Sequence, residues 1–412
     1  MKVLQINKYH YPKGGSDLMY LNTSEVLTNQ GHEVIHFSTI SKRNFFSPTS
    51  RYFIKNPDYA NLSTKSKIIS IGEYLYSQEA KKNLCALLEK ERPDIVHIHI
   101  FFGELSNSIL TTLKQFGIPI VMTLHDFKML CPVYLLLDNN GKICERCASG
   151  NHLHCIRKRC HQNNVFSSTL MAIDNFIGRS IIPYEDYIDH FIAVSDFCMQ
   201  KHINFRPKLK NKISRIYNFI DLPLIKTHQI TFGDYYLYFG RLSREKGILT
   251  LIRSLKNSNI PLWIVGEGPE EVNLREYCKI NNLTNVHFKG FKNRKELKSI
   301  IKNARFSVFP SECYESFGLG IIESMSQGTP PISAYIGGAA ELILNEKDGF
   351  YFRSKDENDL RATILKTFEI ENHLYKEMSI ASIQAAGKYS KQNYYNELIK
   401  TYDSIKHSNA PE

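Results

Sequence analysis

The chain has no apolar run approaching the roughly 18 to 20 residues that cross a bilayer, so a transmembrane helix is not expected. It shows no export-type leader. Met1-Lys2-Val3-Leu4-Gln5-Ile6-Asn7 has one charged side chain and a short apolar stretch, which reads as a first strand. A cytoplasmic location is the resulting expectation. The nine cysteines are an odd number, which argues against a disulfide framework in a chain without an export signal. No G-x-G-x-x-G is present. Gly14-Gly15-Ser16-Asp17-Leu18-Met19 departs from it, and Gly266-x-Gly268 meets Glu271 where the third glycine would stand, so dinucleotide binding is not expected. There is no internal repeat and no low-complexity segment, which excludes solenoid arrays and biased tails.

What is present suits a soluble globular protein, with 42% hydrophobic and 23% charged residues. At 412 residues the chain exceeds one ordinary core, and two domains are expected. The formal charge of +11 is uneven: residues 1–222 hold 27 Lys and Arg against 19 Asp and Glu, and residues 223–412 hold 25 against 22. A basic first half suits phosphates, nucleic acid or an acidic membrane face. An ordinary lysine-rich solvated surface gives the same count.

The pattern along the chain alternates strand with helix. Lys2 to Asn7 is a β-type run, the turn Pro12-Lys13-Gly14-Gly15-Ser16 follows, and Asp17 to Asn29 places Leu18, Leu21, Val26 and Leu27 at helical spacing. Glu33 to Phe37, Asp94 to His99, Pro119 to Leu124 and His190 to Val194 read as further strands, and Leu105 to Phe116 as a helix. This order opens a parallel α/β sheet, and His125 and Ser195 fall at the carboxyl ends of strands, where such sheets bind ligands. The pattern lapses around 221–233, which places a domain boundary there. A second series follows: strands at Tyr235 to Phe239, Leu262 to Val265, Val286 to Phe288 and Phe306 to Pro310, and a helix at Gly247 to Leu255. The expected domains are 1–222, with a cysteine-rich insert near 131–161, then 223–388, and a last helix in 389–412 that packs back on the first domain.

The most informative segment runs from Pro310 to Glu323. It is a strand end, a glycine-containing turn and a helix start, and free amides at a helix N-terminus attract anions. Glu315 and Glu323 stand eight residues apart, roughly 12 Å if the stretch were fully helical, enough to grip hydroxyls on either side of a diphosphate. Solvated helix glutamates would give the same pair. The surrounding motifs decide between the two. Phe239-Gly240-Arg241-Leu242-Ser243-Arg244-Glu245-Lys246-Gly247, Val265-Gly266-Glu267-Gly268-Pro269, Ser326-Gln327-Gly328-Thr329-Pro330 and Gly337-Gly338-Ala339-Ala340-Glu341-Leu342 stand in order around it. With this series the chain resembles, over nearly its whole length, the retaining glycosyltransferases of family 4.

The resemblance implies an α/β fold of two Rossmann-like parallel-sheet domains facing a central cleft, the GT-B architecture. It implies transfer from a nucleoside-diphosphate sugar to a glycan or polyprenyl-linked acceptor. Arg241 and Lys246 would neutralise the donor diphosphate, Glu323 would bind the ribose, and Glu315 a hydroxyl of the donor sugar. The amides around Phe317, Gly318 and Leu319 would meet the phosphates, with Gly240 and Gly266 in the adjoining loops. In the first domain, Gly14 and Gly15 would approach the donor and His125 would contact its sugar near the reacting centre; Ser195 and Asn218 fall on loop ends that suit the donor. Retention is what the resemblance implies; no side chain stands out as a covalent nucleophile, and the expected course is attack on the anomeric carbon from the face that the diphosphate leaves. No Asp-x-Asp occurs, which favours fixed cations over a catalytic metal, and no cofactor is expected for catalysis.

Two rivals stay open at this stage: a non-hydrolysing nucleotide-sugar epimerase of the same fold, and a zinc-dependent nucleic-acid-binding module suggested by charge and cysteines. The donor-site series speaks against nucleic acid. The cysteine run Cys131, Cys144, Cys147, Cys155, Cys160 suits either a structural zinc at Cys144, Cys147, Cys155 and Cys160 or a loop of free thiols. Its basic run Arg157-Lys158-Arg159 suits the phosphates of a lipid carrier or an anionic membrane surface, so peripheral attachment to the inner face of the membrane is expected.

Overall fold

A computed structural model describes residues 1–55, 71–222 and 233–408. It divides into two compact units, Met1–Tyr217 with Tyr394–Glu412, and Asn218–Asn393. The division falls five residues before the break expected at 222/223, and the return five after that expected at 388/389. Of the lapse expected at 221–233, residues 223–232 lie outside the described residues.

The first unit holds a six-stranded sheet of β1 (Lys2–Ile6), β2 (Glu33–Phe37), β3 (Ile95–Ile98), β4 (Ile120–Leu124), β5 (His190–Ala193) and β6 (Ile213–Arg215). The order is β2-β1-β3-β4-β5-β6, and every pairing is parallel. All residues of β3 and β4 are buried, as expected of inner strands covered on both faces. The last helix, Lys391–Ser408, enters this unit from Tyr394 onward. Tyr394 bonds Thr23 at 2.9 Å, Tyr402 bonds His97 at 2.7 Å, and Lys406 pairs with Asp94 at 3.4 Å. Leu398 and Tyr402, four residues apart, are fully buried on its inner face.

The second unit repeats the plan with β7 (Tyr236–Phe239), β8 (Leu262–Val265), β9 (Val286–Gly290), β10 (Phe306–Phe309), β11 (Pro331–Ala334) and β12 (Phe350–Phe352), in the order β12-β11-β10-β7-β8-β9, again all parallel. One face packs Tyr236, Leu262, Ile264, Phe306 and Ile332 against Leu251, Ile252, Leu360 and Ile364 of the covering helices. The order places β10, β7 and β8 side by side, so the loops after these strands are neighbours. Those three loops carry the motif residues.

Candidate functional site

The loop after β7 carries Gly240, Arg241 and Lys246, the loop after β8 carries Gly266, and the segment after β10 runs from Pro310 to Gly318. Backbone meets backbone between the first two. A Cβ on Gly266 would stand 1.9 Å from the Gly240 carbonyl oxygen, and Gly266 has φ +132°, so any other residue forces the loops apart. Gly240 donates its amide to Val265 and Leu242 donates to Glu267, which holds Arg241 at the carboxyl edge with its side chain exposed.

Lys246 Nζ lies 2.6 Å from Glu315 Oε1, and Ser311 Oγ donates to the same carboxylate oxygen. Burial opposes charge on both groups, but their mutual attraction prevails. Glu315 is held below the usual carboxylate range and Lys246 above the usual amine range, so both are ionised at neutral pH. An ammonium has three donors, and Glu315 occupies one, which leaves Lys246 capacity for a phosphate. The Glu315 carbonyl accepts from Gly338 at 2.7 Å, so the Gly337-Gly338 segment braces this glutamate from behind.

Phe317 is buried edge-on against Tyr389 at 5.7 Å and anchors the turn rather than presenting its ring. Gly318, at φ +125°, then starts the helix Leu319–Ser326, which no side chain caps. Ile321 donates to the Gly318 carbonyl at 2.9 Å, which leaves the Leu319 and Gly320 amides for an outside acceptor.

Glu323 lies on that helix and lines a pocket with Ile220, Asp221, Arg294, Leu297 and Lys298. Arg294 and Lys391 both pair with Asp221, at 2.5 and 2.6 Å. Burial pushes the Glu323 carboxyl up to about 7, more than Arg294 and Lys298 draw it down. The two glutamates of the motif thus stand in opposite states: one ion-paired, one holding its proton to near neutrality.

In the first unit, Gly14 and Gly15 are exposed at the start of the helix Gly15–Asn29, which has no side-chain cap. His125 ends a line of imidazoles. His97 stacks on His99 at 4.4 Å and His99 on His125 at 5.1 Å, and His99 Nδ1 meets His125 Nε2 at 2.8 Å. With Gln5 Oε1 accepting from His99 Nε2 at 2.8 Å, His99 receives the Nε2–H of His125, and His125 Nδ1 is left as an acceptor. Burial lowers His125 to about 3, so it is neutral at physiological pH. Ser195 is fully buried and caps the helix Asp196–Phe205, accepting from the Cys198 amide at 3.0 Å. Asn218 is buried at the first position of the second unit.

The cysteines of the expected zinc set lie within electrostatic reach of one another: Cys131, Cys144 and Cys160 all act on Cys147. Among the described residues no three His, Cys, Asp or Glu side chains are placed to hold a metal ion, Cys144, Cys147, Cys155 and Cys160 included. All nine cysteines are free thiols. Cys155 Sγ donates to the Ser168 carbonyl at 3.8 Å and hydrogen-bonds the Cys160 sulfur.

Residues 13–223, just over half the chain, match the model of Glycosyltransferase Family 4. The chain belongs to glycosyltransferase family 4. Residues 228–385 match Glycosyl transferases group 1. An uncharacterized glycosyltransferase of Methanocaldococcus jannaschii is 22% identical over 98% of this chain and 99% of its own. The O-antigen chain mannosyltransferase B of Escherichia coli is 22% identical over 68% of this chain and 69% of its own. The crystal structure of Anabaena HepE in complex with UDP and glucose shares the fold, at TM-score 0.69 and 17% identity over 98% of this chain and 100% of that one. The glycosyltransferase therefore has the GT-B fold, with its two six-stranded parallel sheets.

Several residues that touch these candidate side chains, in one unit or the other, lay outside the sequence reading. Ser311 is one, and it binds Glu315 from four residues upstream. Arg294 and Lys298 are one helical turn apart on Arg294–Lys302, a spacing that puts two cations on one face, and this was the available signal. Gln5 and His99 were hidden because they support His125 from adjacent strands, far apart in sequence.

Proposed function

We propose that the enzyme moves a sugar from a nucleoside-diphosphate sugar to a hydroxyl of a glycan or polyprenyl-linked acceptor, with retention of configuration, in the building of bacterial surface polysaccharide. The observation that carries this reading is the split between Glu315 and Glu323. Eight residues apart, one is a charged partner of Lys246 and the other a proton-holding carboxyl in a separate pocket. This suits a ligand with hydroxyls at both ends and negative charge between them. The uncapped start of Leu319–Ser326 lies between the two glutamates in sequence and offers amides to the phosphates. The UDP and glucose bound to HepE, and the O-antigen chain named for the Escherichia coli relative, support this choice of ligand classes.

In the proposed reaction the bond from the anomeric carbon to the diphosphate breaks as the acceptor oxygen attacks from the same face. Charge grows on the leaving diphosphate, and Arg241 with the free donors of Lys246 stabilises it. Glu315 orients Lys246 and binds a sugar hydroxyl, and Glu323 accepts from the ribose. In the first unit, the bare Nδ1 of neutral His125 accepts a sugar hydroxyl. The absence of Asp-x-Asp supports transfer without a divalent ion at the phosphates.

The test is a thermal-stabilisation screen against UDP-, GDP- and ADP-sugars, followed by product analysis with and without acceptor and with EDTA. One donor class should raise the melting temperature, and product should need acceptor and survive EDTA. A new sugar nucleotide formed without acceptor would mark an epimerase, and immediate loss restored by Mg²⁺ would refute the cation-only mechanism.

A further inference from the structure

The helix Val165–Phe176 and the π-helical turn Ile177–Ile181 after it have their polarity inside out. At about 100° per residue, Val165, Phe166, Ile173 and Phe176 fall within one arc of roughly 100°. These are the exposed positions: Val165 is 48%, Phe166 65%, Ile173 42% and Phe176 49% accessible, with Ile181 at 61% in the following turn. The inward side carries the polar groups. Ser168, Asp174 and Asn175 are all buried.

The inward polarity has a structural reason. Asp174 pairs with buried Lys128 at 2.9 Å, Asn175 donates to the Lys128 carbonyl, and Ser168 Oγ accepts from the His161 amide at 3.0 Å. These bonds explain the inner face and leave the outer one unexplained. An apolar helical face turned to water is unfavourable unless something apolar covers it.

Charge indicates what covers it. Between residues 164 and 182 the only ionisable side chains are Asp174, buried and paired, and Arg179, which donates to the Ala148 carbonyl at 2.7 Å. This segment therefore puts no carboxylate on its outer face, and Asp138 lies near Cys160, beside the basic run that precedes it. Arg157, Lys158 and Arg159, all exposed, follow directly on the short helix Leu153–Arg157, whose Leu153 is itself 56% accessible. Apolar side chains on one face with an excess of cations beside them is the arrangement of a helix lying in the interface of an anionic bilayer. A second copy of this chain would bring the same three cations toward their own kind. We infer that Val165–Ile181 is a membrane-docking face that inserts Phe166, Ile173, Phe176 and Ile181 at an anionic lipid surface, with Arg157-Lys158-Arg159 on the headgroups. The inference goes beyond the transfer reading and does not depend on the donor.

The test is flotation of the full chain with phosphatidylcholine vesicles, with and without 30% phosphatidylglycerol, a mixture chosen to supply roughly the surface charge of an anionic leaflet. The wild type should float with the anionic vesicles and be weakened by high salt. Phe166→Ser with Phe176→Ser should reduce binding at least tenfold at low salt. Replacing Arg157, Lys158 and Arg159 by Ser should reduce binding and remove its salt dependence. Nucleotide-sugar stabilisation measured on the same variants should be unchanged, which separates failure here from failure of the transfer reading. Should the double variant not fold, Phe166→Trp with Trp263→Phe gives a single reporter, and brominated lipid should quench it. Equal flotation of wild type and variants, no quenching, or a concentration-dependent dimer abolished by the Phe→Ser pair would overturn the proposal.

Discussion

Replacing Glu323 by Gln should make the protein more stable and a poorer binder of its donor. Unfolded, this carboxyl releases its proton near the ordinary value of 4.5; folded, burial holds the proton to about 7. Between those values the folded chain binds more protons than the unfolded one, so this group's contribution to stability falls as pH rises and levels off above the folded value. At about 1.36 kcal/mol per pH unit the cost at pH 8 reaches roughly 3 kcal/mol, and solvent at the partly exposed carboxyl trims this to about 1–3 kcal/mol. Gln has the same size and never ionises. Urea titrations of wild type and Glu323→Gln at pH 5 and pH 8 should show the variant's advantage growing by about 1–2 kcal/mol between them. Comparing the two proteins at each pH cancels every other titrating group. Donor affinity at pH 8, where this carboxyl is ionised, should fall about 10- to 100-fold, because a charged acceptor for the ribose hydroxyls is lost. An advantage that is the same at both pH values would refute the burial argument, and unchanged donor affinity would refute the ribose assignment.

Lys246→Met should leave Glu315 with Ser311 as its one remaining side-chain donor among the described residues, and lower stability by about 1–3 kcal/mol at pH 7. Lys246→Met with Glu315→Gln should recover most of that loss while turnover stays abolished, and two equally unstable variants would refute the pairing. The Glu315 contribution is present above its ordinary value of 4.5 and is lost as pH falls through its lower folded value, so the single variant's deficit should shrink in acid. Gly266→Ala forces a Cβ to 1.9 Å from the Gly240 carbonyl at a positive φ, and chemical denaturation should show a loss of at least about 2 kcal/mol. Wild-type stability in that variant would mean that the two loops are not held together. His36, His97 and His125, each lowered to about 3 with burial as the main cause, should show neutral imidazole nitrogen shifts by NMR down to pH 5. A midpoint near 6.5 for His125 would contradict its burial beside His99.

The α/β plan was legible because buried parallel strands are short apolar runs closed by turn residues, as at Ile95–Ile98 and Ile120–Leu124. β6 and β12, three residues each, were too short to show a period, and β11 is hidden behind Thr329-Pro330-Pro331. Phe317 and Ser195 show what a motif position leaves open. A place in the pattern says nothing of where a side chain turns, and one packs on Tyr389 while the other caps a helix.

The sequence by itself determined the two parallel sheets and the loops that carry the glycine motifs, because these follow from local periodicity and from glycines at strand ends. Tertiary structure alone decided which glutamate is ionised. Glu315 meets Lys246 across 69 residues of chain, and Glu323 meets only distant cations in a pocket that removes water. It alone decided that His125 leans on His99 and Gln5, and that the helix Val165–Phe176 turns its apolar side outward. Charge state and exposure depend on what the fold brings close in space, and separation along the chain carries no record of it.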